Sequence, residues 1–377
     1  MANKLLAKLK KEKAFNDILV TEQPKDEWLS TNCIPVNLLL SGKIQGGIKK
    51  GCMSQIGADS SFGKSIIGYS VLKAAQQAGM DCFIVDTENA VNYKILTGIG
   101  VNMNDVGVIN TKLIPEIKQF FSKMAHGLTR AEQRNVFVLF DSWGPIVELQ
   151  VMEKAEEGSA AVNMSSARFK AELAEVINAC NFTTLILNHV YATLQMYGDP
   201  VTVGGGKKLY YLSDAIMLAT SAKKDKDKEG NIRGKIITAK TLKGRAAKEM
   251  RTTHYLIQHN GGINPYYGLL DEALESGVVY KPKPGYYSRT DYDVNKETGE
   301  VTKQWKEEQL YCAEFWIPLY KDEKFRKYVE DKFSYDDNVL IASNQDVMKM
   351  MNGEQEIVGN DGIPDTGDEI DLGDDEE

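Results

Sequence analysis

A stretch near residue 60 combines the residue types that bind phosphate groups. An apolar run ending at Ile56 leads into a loop of small and polar residues. Small residues let backbone N–H groups turn inward, a following lysine can reach terminal phosphates, and a serine hydroxyl can bind magnesium. The stretch therefore predicts a nucleotide polyphosphate site that uses magnesium. Its candidate residues are Gly57, Ala58, Asp59, Ser60, Ser61, Phe62, Gly63, Lys64 and Ser65.

The spacing within this loop departs by one residue from the usual pattern. Counted back from the G-K-S sequence, Ala58 holds the first small-residue position and Gly57 lies one residue too far away. A glycine- and serine-rich loop with a surface lysine is therefore the alternative interpretation. After the loop, Ile67, Val71 and Ala75 repeat every four positions, which predicts a helix. The whole unit is predicted to be strand, loop and helix.

The elements that would position this loop form an α/β fold. Predicted helices at 115–126 and 168–179 alternate with the early strands, which favours a mainly parallel sheet with helices on both faces. The later strands follow one another closely, and 223–234 has the composition of an exposed hairpin tip, so the sheet edge is predicted to be antiparallel. The predicted strands are 53–56, 82–85, 136–140, 184–188, 215–220, 235–240 and 254–258.

Polar residues follow three other predicted strands, where ligands of open parallel sheets bind. Glu88 is placed to polarise a water against the γ-phosphate, although a surface carboxylate is the alternative. Asp141 ends a strongly apolar strand and is a candidate to orient magnesium beside Ser65, whereas a helix-capping aspartate is the alternative. Asn188 and His189 end the next strand, and one of them is expected to contact the γ-phosphate.

Two segments beside these strands are predicted to be irregular. They cover residues 190–209 and 148–164, and the first is long and rich in glycine. Long loops in compact domains are usually functional or disordered. Glycine, lysine, methionine and tyrosine suit a single-stranded nucleic acid held by its backbone, with plain disorder as the alternative. The candidate DNA-binding residues are Met196, Gly204, Gly205, Gly206, Lys207 and Lys208.

The composition is that of a globular protein. The 377 residues are 42% hydrophobic and 26% charged, and no apolar run approaches the length needed to cross a bilayer. The five cysteines form no C-x-x-C pair, which disfavours a zinc site and a disulfide framework and fits a reducing cytoplasm. Net charge is −8, and the nine acidic residues of 361–377 leave +1 for the remainder. We expect a solvated acidic tail, with a partner-binding or DNA-competing role as the alternative.

The two ends of the chain differ from its centre. Residues 1–13 have the pattern of a short basic amphipathic helix, whose leucines are expected to dock, with Phe15, on this chain or on a neighbouring copy. The predicted division is an N-terminal docking segment at 1–30, a nucleotide-binding core at 31–277, a small C-terminal α/β domain at 278–345 and an acidic disordered tail at 346–377.

The order of these motifs resembles that of RecA-type recombinases, and among them those of T-even phages. The resemblance rests on the phosphate loop, D-T-E-N, F-D-S-W-G-P, I-L-N-H, the glycine-rich loop and G-G-I-N-P-Y-Y-G-L-L-D. It implies a RecA-type core and a DNA-dependent ATPase that uses ATP and magnesium. It also implies helical filaments on single-stranded DNA and homologous strand exchange with double-stranded DNA. A phage-encoded protein of this kind would act in the cytoplasm of its bacterial host.

The resemblance also assigns roles to residues. Lys64 and Ser65 would bind phosphate and magnesium, Glu88 would be the general base, Asp141 would orient magnesium, and His189 would sense the γ-phosphate. Because ATP lies between protomers in this family, cations of the next subunit would complete the site. A single-strand-binding protein and a loading mediator are the expected partners. The candidate residues at the protomer interface are Lys240, Lys243 and Arg245, acting in trans, and Phe15.

One departure from the family concerns the nucleotide base. Ile95 occupies the position where a tyrosine often stacks on adenine, and Tyr93 lies two residues earlier. Two other functions remain open. A hexameric RecA-fold helicase would share the phosphate loop, and a filament protein could use ATP only as interfacial glue.

Overall fold

The computed structural model describes residue 11 and residues 26–148, 160–192 and 201–335, with the backbone alone for 160–165 and 192. The β-strands are β1 (Trp28–Leu29), β2 (Ile48–Lys49), β3 (Met53–Gly57), β4 (Asp81–Asp86), β5 (Val106–Asn110), β6 (Val136–Asp141), β7 (Thr183–Asn188), β8 (Val190–Ala192), β9 (Val201–Val203), β10 (Ala215–Lys226), β11 (Ile232–Gly244), β12 (Thr252–Gln258), β13 (Gly262–Asn264), β14 (Val279–Lys283), β15 (Tyr286–Arg289) and β16 (Trp305–Lys306). The α-helices are Ile34–Ser41, Lys64–Gln77, Tyr93–Ile99, Ile114–His126, Arg130–Gln133, Ala160–Ala179, Gly206–Leu212, Leu270–Glu275, Ala313–Lys321 and Glu323–Phe333.

A nine-stranded sheet organises the molecule, in the order β13-β12-β11-β10-β3-β7-β6-β4-β5. The six strands from β10 to β5 run parallel, and β11, β12 and β13 add an antiparallel edge. The predicted mainly parallel α/β fold is therefore confirmed. All seven predicted strands are present, and the two longest, β10 and β11, form the predicted hairpin across 227–231.

Both faces of the sheet are apolar and covered by helices. Along β6, Phe137 and Leu139 belong to one buried cluster, whereas Val138 and Phe140 belong to the other. This alternation follows from the two-residue period of a strand, so a parallel strand buried on both sides is an almost continuous apolar run. Helix Lys64–Gln77 packs on the first face through the predicted residues Ile67, Val71 and Ala75. Helices Ile114–His126 and Ala160–Ala179 cover the second face.

The two segments predicted to be irregular contain regular structure. β8 and β9 pair antiparallel, and a helix begins at Gly206, so the prediction of a loop over 190–209 was wrong at those residues. A helix also begins at Ala160, inside the segment predicted to be irregular over 148–164. The intervening residues 149–159 and 193–200 lie outside the described part of the chain.

A small α/β layer follows the central sheet. β14, β15 and β16 form a three-stranded sheet, and the last two helices pack beside it. Trp305 and Trp316 belong to the same buried cluster as Leu38 of the core, and the described residues up to Tyr335 form one compact unit. Among the described residues, no helix is both long and apolar enough to cross a membrane.

Candidate nucleotide-binding site

The predicted phosphate loop joins β3 to helix Lys64–Gln77, as the sequence indicated. Gly63 caps the helix at φ +79°, a conformation that glycine adopts without strain. Lys64 Nζ donates hydrogen bonds to the carbonyl oxygens of Ala58 (2.8 Å) and Asp59 (2.9 Å), so the loop curls around the ammonium group. Burial lowers the pKa of Lys64, and the nearby Asp141 carboxylate opposes this shift.

Gly57 and Gly63 are packed so closely against neighbouring side chains that a larger residue would not fit. A Cβ atom on Gly57 would lie 2.2 Å from Val203 Cγ1, and one on Gly63 would lie 2.0 Å from Ile257 Cδ1. Gly57 is the last residue of β3, and the buried Ala58 begins the loop. A side chain at position 57 would therefore collide with β9, so Gly57 has a packing role next to the loop.

Asp141 and Ser65 form the candidate magnesium site. Asp141 ends β6 beside Asp86 of β4, and the Ser65 hydroxyl lies close enough to its carboxylate to affect the pKa of Asp141. Burial raises the pKa of Asp141, and the Ser65 hydrogen bond opposes that rise. A carboxylate and a hydroxyl are oxygen ligands of the kind that magnesium prefers. These two residues therefore fit a magnesium ion bound to nucleotide phosphates.

Three side chains meet beside this site. Ser142 Oγ donates a hydrogen bond to Glu88 Oε1 (2.5 Å), and His189 Nε2 lies 3.2 Å from the same oxygen. His189 Nε2 also lies 3.3 Å from Ser142 Oγ. The Ser142 hydrogen bond is the largest cause of the lowered pKa of Glu88, which keeps the carboxylate ionised and able to accept a proton.

Sequence reasoning predicted Glu88 and His189 but missed Ser142. The only signal for Ser142 was its place directly after Asp141 at the end of an apolar strand. Thr87, the residue after β4, positions Ser142: the Thr87 hydroxyl donates a hydrogen bond to Ser142 O (2.7 Å) and accepts one from Ser142 N (3.1 Å). The ends of β4, β6 and β7 thus place the three side chains together.

The loop that carries Glu88 is fixed by one buried carboxylate. Asp86 is 4% exposed, and it accepts hydrogen bonds from the backbone N–H groups of Glu88 (3.2 Å), Ala90 (3.1 Å) and Val91 (3.1 Å). Such side-chain bonds to following N–H groups stabilise a turn. Asp86 therefore positions Glu88.

A cavity of about 500 Å³ lies beside helix Lys64–Gln77. Ile66 and Ser70 line one side, and Ile95 and Ile263 line others. The lining combines apolar with polar side chains, and a mixed pocket of this volume suits a nucleobase. Ile95 lines this cavity, whereas Tyr93 is 54% exposed.

The three cations predicted to act in trans have different surroundings. Lys240 is buried, and Lys243 Nζ donates hydrogen bonds to the carbonyls of Tyr210 (2.9 Å), Tyr211 (2.8 Å) and Ser213 (2.8 Å). Arg245 is exposed. Beyond Lys240, β11 runs towards the amino ends of the parallel strands, whereas the phosphate loop lies at their carboxyl ends. Lys243 and Arg245 therefore lie away from the phosphate loop of their own chain.

The candidate DNA-binding residues surround the start of helix Gly206–Leu212. Gly204 precedes it, Gly205 caps it at φ +92°, and Lys207 is exposed. Lys208 forms an ion pair with Glu175 of helix Ala160–Ala179. The remaining predictions, Met196 and Phe15, lie outside the described residues.

This fold and this site have the architecture of phosphate-loop α/β proteins. The family model of the RecA N-terminal domain matches residues 6–264, and that of the C-terminal domain of the bacteriophage T4 recombination and repair protein matches residues 266–329. The chain belongs to the RecA family. The resemblance inferred from its motifs is thereby confirmed.

Individual relatives agree with this assignment. The recombination and repair protein of Enterobacteria phage T4 is 29% identical over 91% of this chain and 87% of its own length. A mitochondrial DNA repair protein recA homolog of Dictyostelium discoideum is 27% identical over 88% of this chain and 68% of its own. Protein RecA of Clostridium perfringens (strain 13 / Type A) is 24% identical over 68% and 72%, respectively.

Proposed function

We propose that this chain is a recombination and repair protein that hydrolyses ATP in a DNA-dependent manner. It forms helical filaments on single-stranded DNA and exchanges strands with homologous double-stranded DNA. The observation that carries the proposal is the meeting of Lys64, Asp141, Glu88 and His189 at the carboxyl ends of four neighbouring parallel strands. Membership of the RecA family supports it, since that family generally uses ATP and magnesium.

Each of these residues has a step in the proposed mechanism. Lys64 and the loop N–H groups hold the terminal phosphates, and Ser65 with Asp141 holds the nucleotide-bound magnesium ion. When bound, magnesium neutralises charge that develops on the phosphate oxygens. Glu88 accepts a proton from the attacking water, because its lowered pKa leaves it ionised near neutral pH. His189 contacts both Glu88 and Ser142 and reports the γ-phosphate to the chain that follows.

The filament proposal concerns the contact between copies. Arg245 is exposed and lies away from its own phosphate loop, so we propose that it reaches the ATP bound to the next protomer. Phe15 docks on the neighbouring copy, and a single-strand-binding protein and a mediator assist loading. We retain the division into a polymerisation segment (1–30), an ATPase core (31–277), a C-terminal domain (278–345) and an acidic tail (346–377).

The test is ATP hydrolysis with and without single-stranded DNA over a salt series. DNA should stimulate turnover, and the stimulation should fall steeply with salt, because DNA binding through phosphates releases counterions. Lys64→Ala should abolish hydrolysis, whereas Lys73→Ala, which changes a lysine on the same helix outside the loop, should leave it intact. Unchanged, DNA-stimulated turnover in the Lys64→Ala variant would remove the phosphate loop from the mechanism.

Two further measurements separate this function from its alternatives. Electron microscopy should show open helical filaments on single-stranded DNA, and closed rings alone would favour a helicase. Homologous DNA molecules should form joint molecules in the presence of ATP. Filaments that yield no joint molecules would favour a protein in which ATP only stabilises the interface.

A further inference from the structure

Three buried polar side chains connect the phosphate loop to residues 201–212, which we call the glycine-rich segment. Gln55 of β3, Asn188 of β7 and Ser213, which follows helix Gly206–Leu212, are each at most 1% exposed. A buried amide costs free energy unless it is hydrogen-bonded, so hydrogen bonds between buried side chains connect the elements that carry them. These side chains therefore link that helix to the central sheet.

Gln55 lies at the centre of this connection. Its Nε2 donates hydrogen bonds to Ser213 Oγ (2.7 Å) and to the Leu209 carbonyl (3.3 Å), both at the carboxyl end of the helix. Its Oε1 accepts a hydrogen bond from Asn188 Nδ2 (3.2 Å). One amide thus joins the end of the helix to the end of β7.

Asn188 continues the connection in two directions. Its side-chain Nδ2 also donates to the Gly204 carbonyl (2.8 Å), immediately before the helix. Its backbone carbonyl accepts a hydrogen bond from the N–H group of Ala58 (3.2 Å), the first residue of the phosphate loop. Asn188 therefore contacts the phosphate loop through its backbone and the glycine-rich segment through its side chain.

Close packing strengthens this link. Gly57 and Val203 are in such tight contact that a Cβ atom on the glycine would lie 2.2 Å from Val203 Cγ1. The Gly204 N–H group donates to the carbonyl of His189 (3.0 Å), the residue next to Asn188. A displacement at the end of β3 is therefore transmitted to the start of the glycine-rich segment.

One atom of the connection has no partner. Asn188 Oδ1 is buried and accepts no hydrogen bond from any described residue, although a Cβ atom on Gly204 would lie 3.0 Å from it. An unpaired buried acceptor destabilises the arrangement that contains it. A second arrangement of the glycine-rich segment that brings an N–H group to this oxygen would gain the missing hydrogen bond.

We propose that Gln55 and Asn188 are positioning residues that couple the occupancy of the phosphate loop to DNA binding by the segment around helix Gly206–Leu212. The inference rests on the proposed function, since it concerns how ATP and DNA influence each other. Both side chains are buried, so they would act through the elements that they join. They select between two arrangements of the segment, and such selection is a coupling free energy that acts equally in both directions.

The test uses Gln55→Met in the full-length chain. Methionine has a similar length and no hydrogen-bonding amide, and the neighbours keep partners, because Asn188 Nδ2 retains the Gly204 carbonyl and Ser213 Oγ retains the Leu209 carbonyl. We expect the ratio of DNA-stimulated to basal ATP turnover to fall about fivefold or more, with basal turnover close to that of the unchanged chain. The effect of a non-hydrolysable ATP analogue on affinity for single-stranded DNA should fall by the same factor.

Two other variants complete the design. Ser54→Ala is the matched control, because Ser54 is the adjacent buried residue of β3 and its hydroxyl has no partner among the described residues. It should change neither ratio. Ser213→Ala removes one of the hydrogen bonds of Gln55 and leaves the Leu209 carbonyl as an acceptor, so it should lower both ratios by less than Gln55→Met. It also serves as the test if the methionine variant does not fold.

The outcomes are distinguishable. An equal loss of basal and stimulated turnover in Gln55→Met would show that Gln55 only stabilises the fold and would overturn the inference. Unchanged ratios in both Gln55→Met and Ser213→Ala would also overturn it, while leaving the proposed function intact. An unchanged chain that shows no DNA stimulation at all would overturn the proposed function and this inference together.

Discussion

Glu88 Oε1 and His189 Nε2 lie 3.2 Å apart, although 101 residues separate them in the chain. Both atoms also contact Ser142 Oγ. The proposed general base and the proposed γ-phosphate contact therefore belong to one hydrogen-bonded group. A change in the position of the imidazole also changes the surroundings of the carboxylate, so the proposed hydrolysis and its proposed signal to the following chain would be linked at a single oxygen.

Glu88→Gln should abolish most hydrolysis while preserving nucleotide binding. An amide cannot accept the proton of the attacking water, and loss of a general base lowers the rate by about 10²–10⁴-fold. Lys64 and Ser65 are unchanged, so the affinity for ATP should remain. Single-turnover hydrolysis and equilibrium nucleotide binding measure the two quantities. Glu297→Gln, at an exposed carboxylate of the C-terminal region, is the control. Substantial hydrolysis by Glu88→Gln would require a different base.

Ser142→Ala should change the pH dependence of hydrolysis. The base must be ionised, so activity is present above the pKa of Glu88 and is lost as pH falls through it. The Ser142 hydrogen bond is the main cause of the lowered pKa, so its removal raises the pKa. We expect the acid limb of the pH–rate profile to move to higher pH.

The matched control for this profile is Ser288→Ala. Ser288 is also fully buried, and its hydroxyl donates one hydrogen bond, to Lys303 O (2.8 Å), far from Glu88 in the sequence. Its profile should keep the original acid limb. If the Ser142→Ala profile keeps it as well, then the ionisation of Glu88 does not control the rate.

The proposed role of Arg245 in trans can be tested by mixing two inactive proteins. Arg245→Ala and Lys64→Ala should each hydrolyse little ATP alone. In a mixed filament, some interfaces combine an intact phosphate loop from one copy with an intact Arg245 from the other. Turnover should therefore reappear on mixing and grow with the fraction of such interfaces. Mixtures that remain inactive, although both variants bind DNA, would place Arg245 outside the site.

A buried ion pair should control the stability of the C-terminal layer. Arg289 and Asp293 are 6% and 1% exposed, with Arg289 Nη2 2.7 Å from Asp293 Oδ1, and Trp305 Nε1 donates to Asp293 Oδ2 (3.0 Å). Asp293→Asn leaves a buried guanidinium without its counter-charge, which costs about 3–5 kcal/mol. Denaturant unfolding measures this loss. Asp291→Asn, at an exposed neighbour, should be neutral, and equal stability of the two variants would contradict the assignment.

Much of the central sheet could be predicted because several of its strands can be recognised from the apolar pattern of a few consecutive residues. β6 and β7 contain apolar runs that end in a polar residue, and burial on both faces requires such runs. β5 was missed because Val106–Asn110 has no fully buried residue and therefore lacks a strong apolar pattern. β8 and β9 were missed because each has three residues, and the pairing depends on partners nine or more positions away.

The site residues divide in the same way. Lys64 and Asp141 belong to short sequence patterns that by themselves indicate phosphate and magnesium binding, so both could be predicted from the sequence. Ser142 could not, because its role exists only where the ends of β4, β6 and β7 meet. The hydrogen bonds of Lys243 to three carbonyls could not be predicted from the sequence either, because they join β11 to the end of a helix about 30 residues earlier.

The two carbonyl contacts of Lys64 bear on how a nucleotide would enter. The carbonyl oxygens of Ala58 and Asp59 already hold the Lys64 ammonium group within the loop. When a polyphosphate binds, the Lys64 ammonium group would exchange these neutral carbonyl acceptors for anionic phosphate oxygens. The lysine side chain would need little change of conformation to do so. Preorganisation of this kind favours rapid capture, and it predicts that a shortened side chain at position 64 leaves the peptide from 58 to 63 open to proteases even before any nucleotide is added.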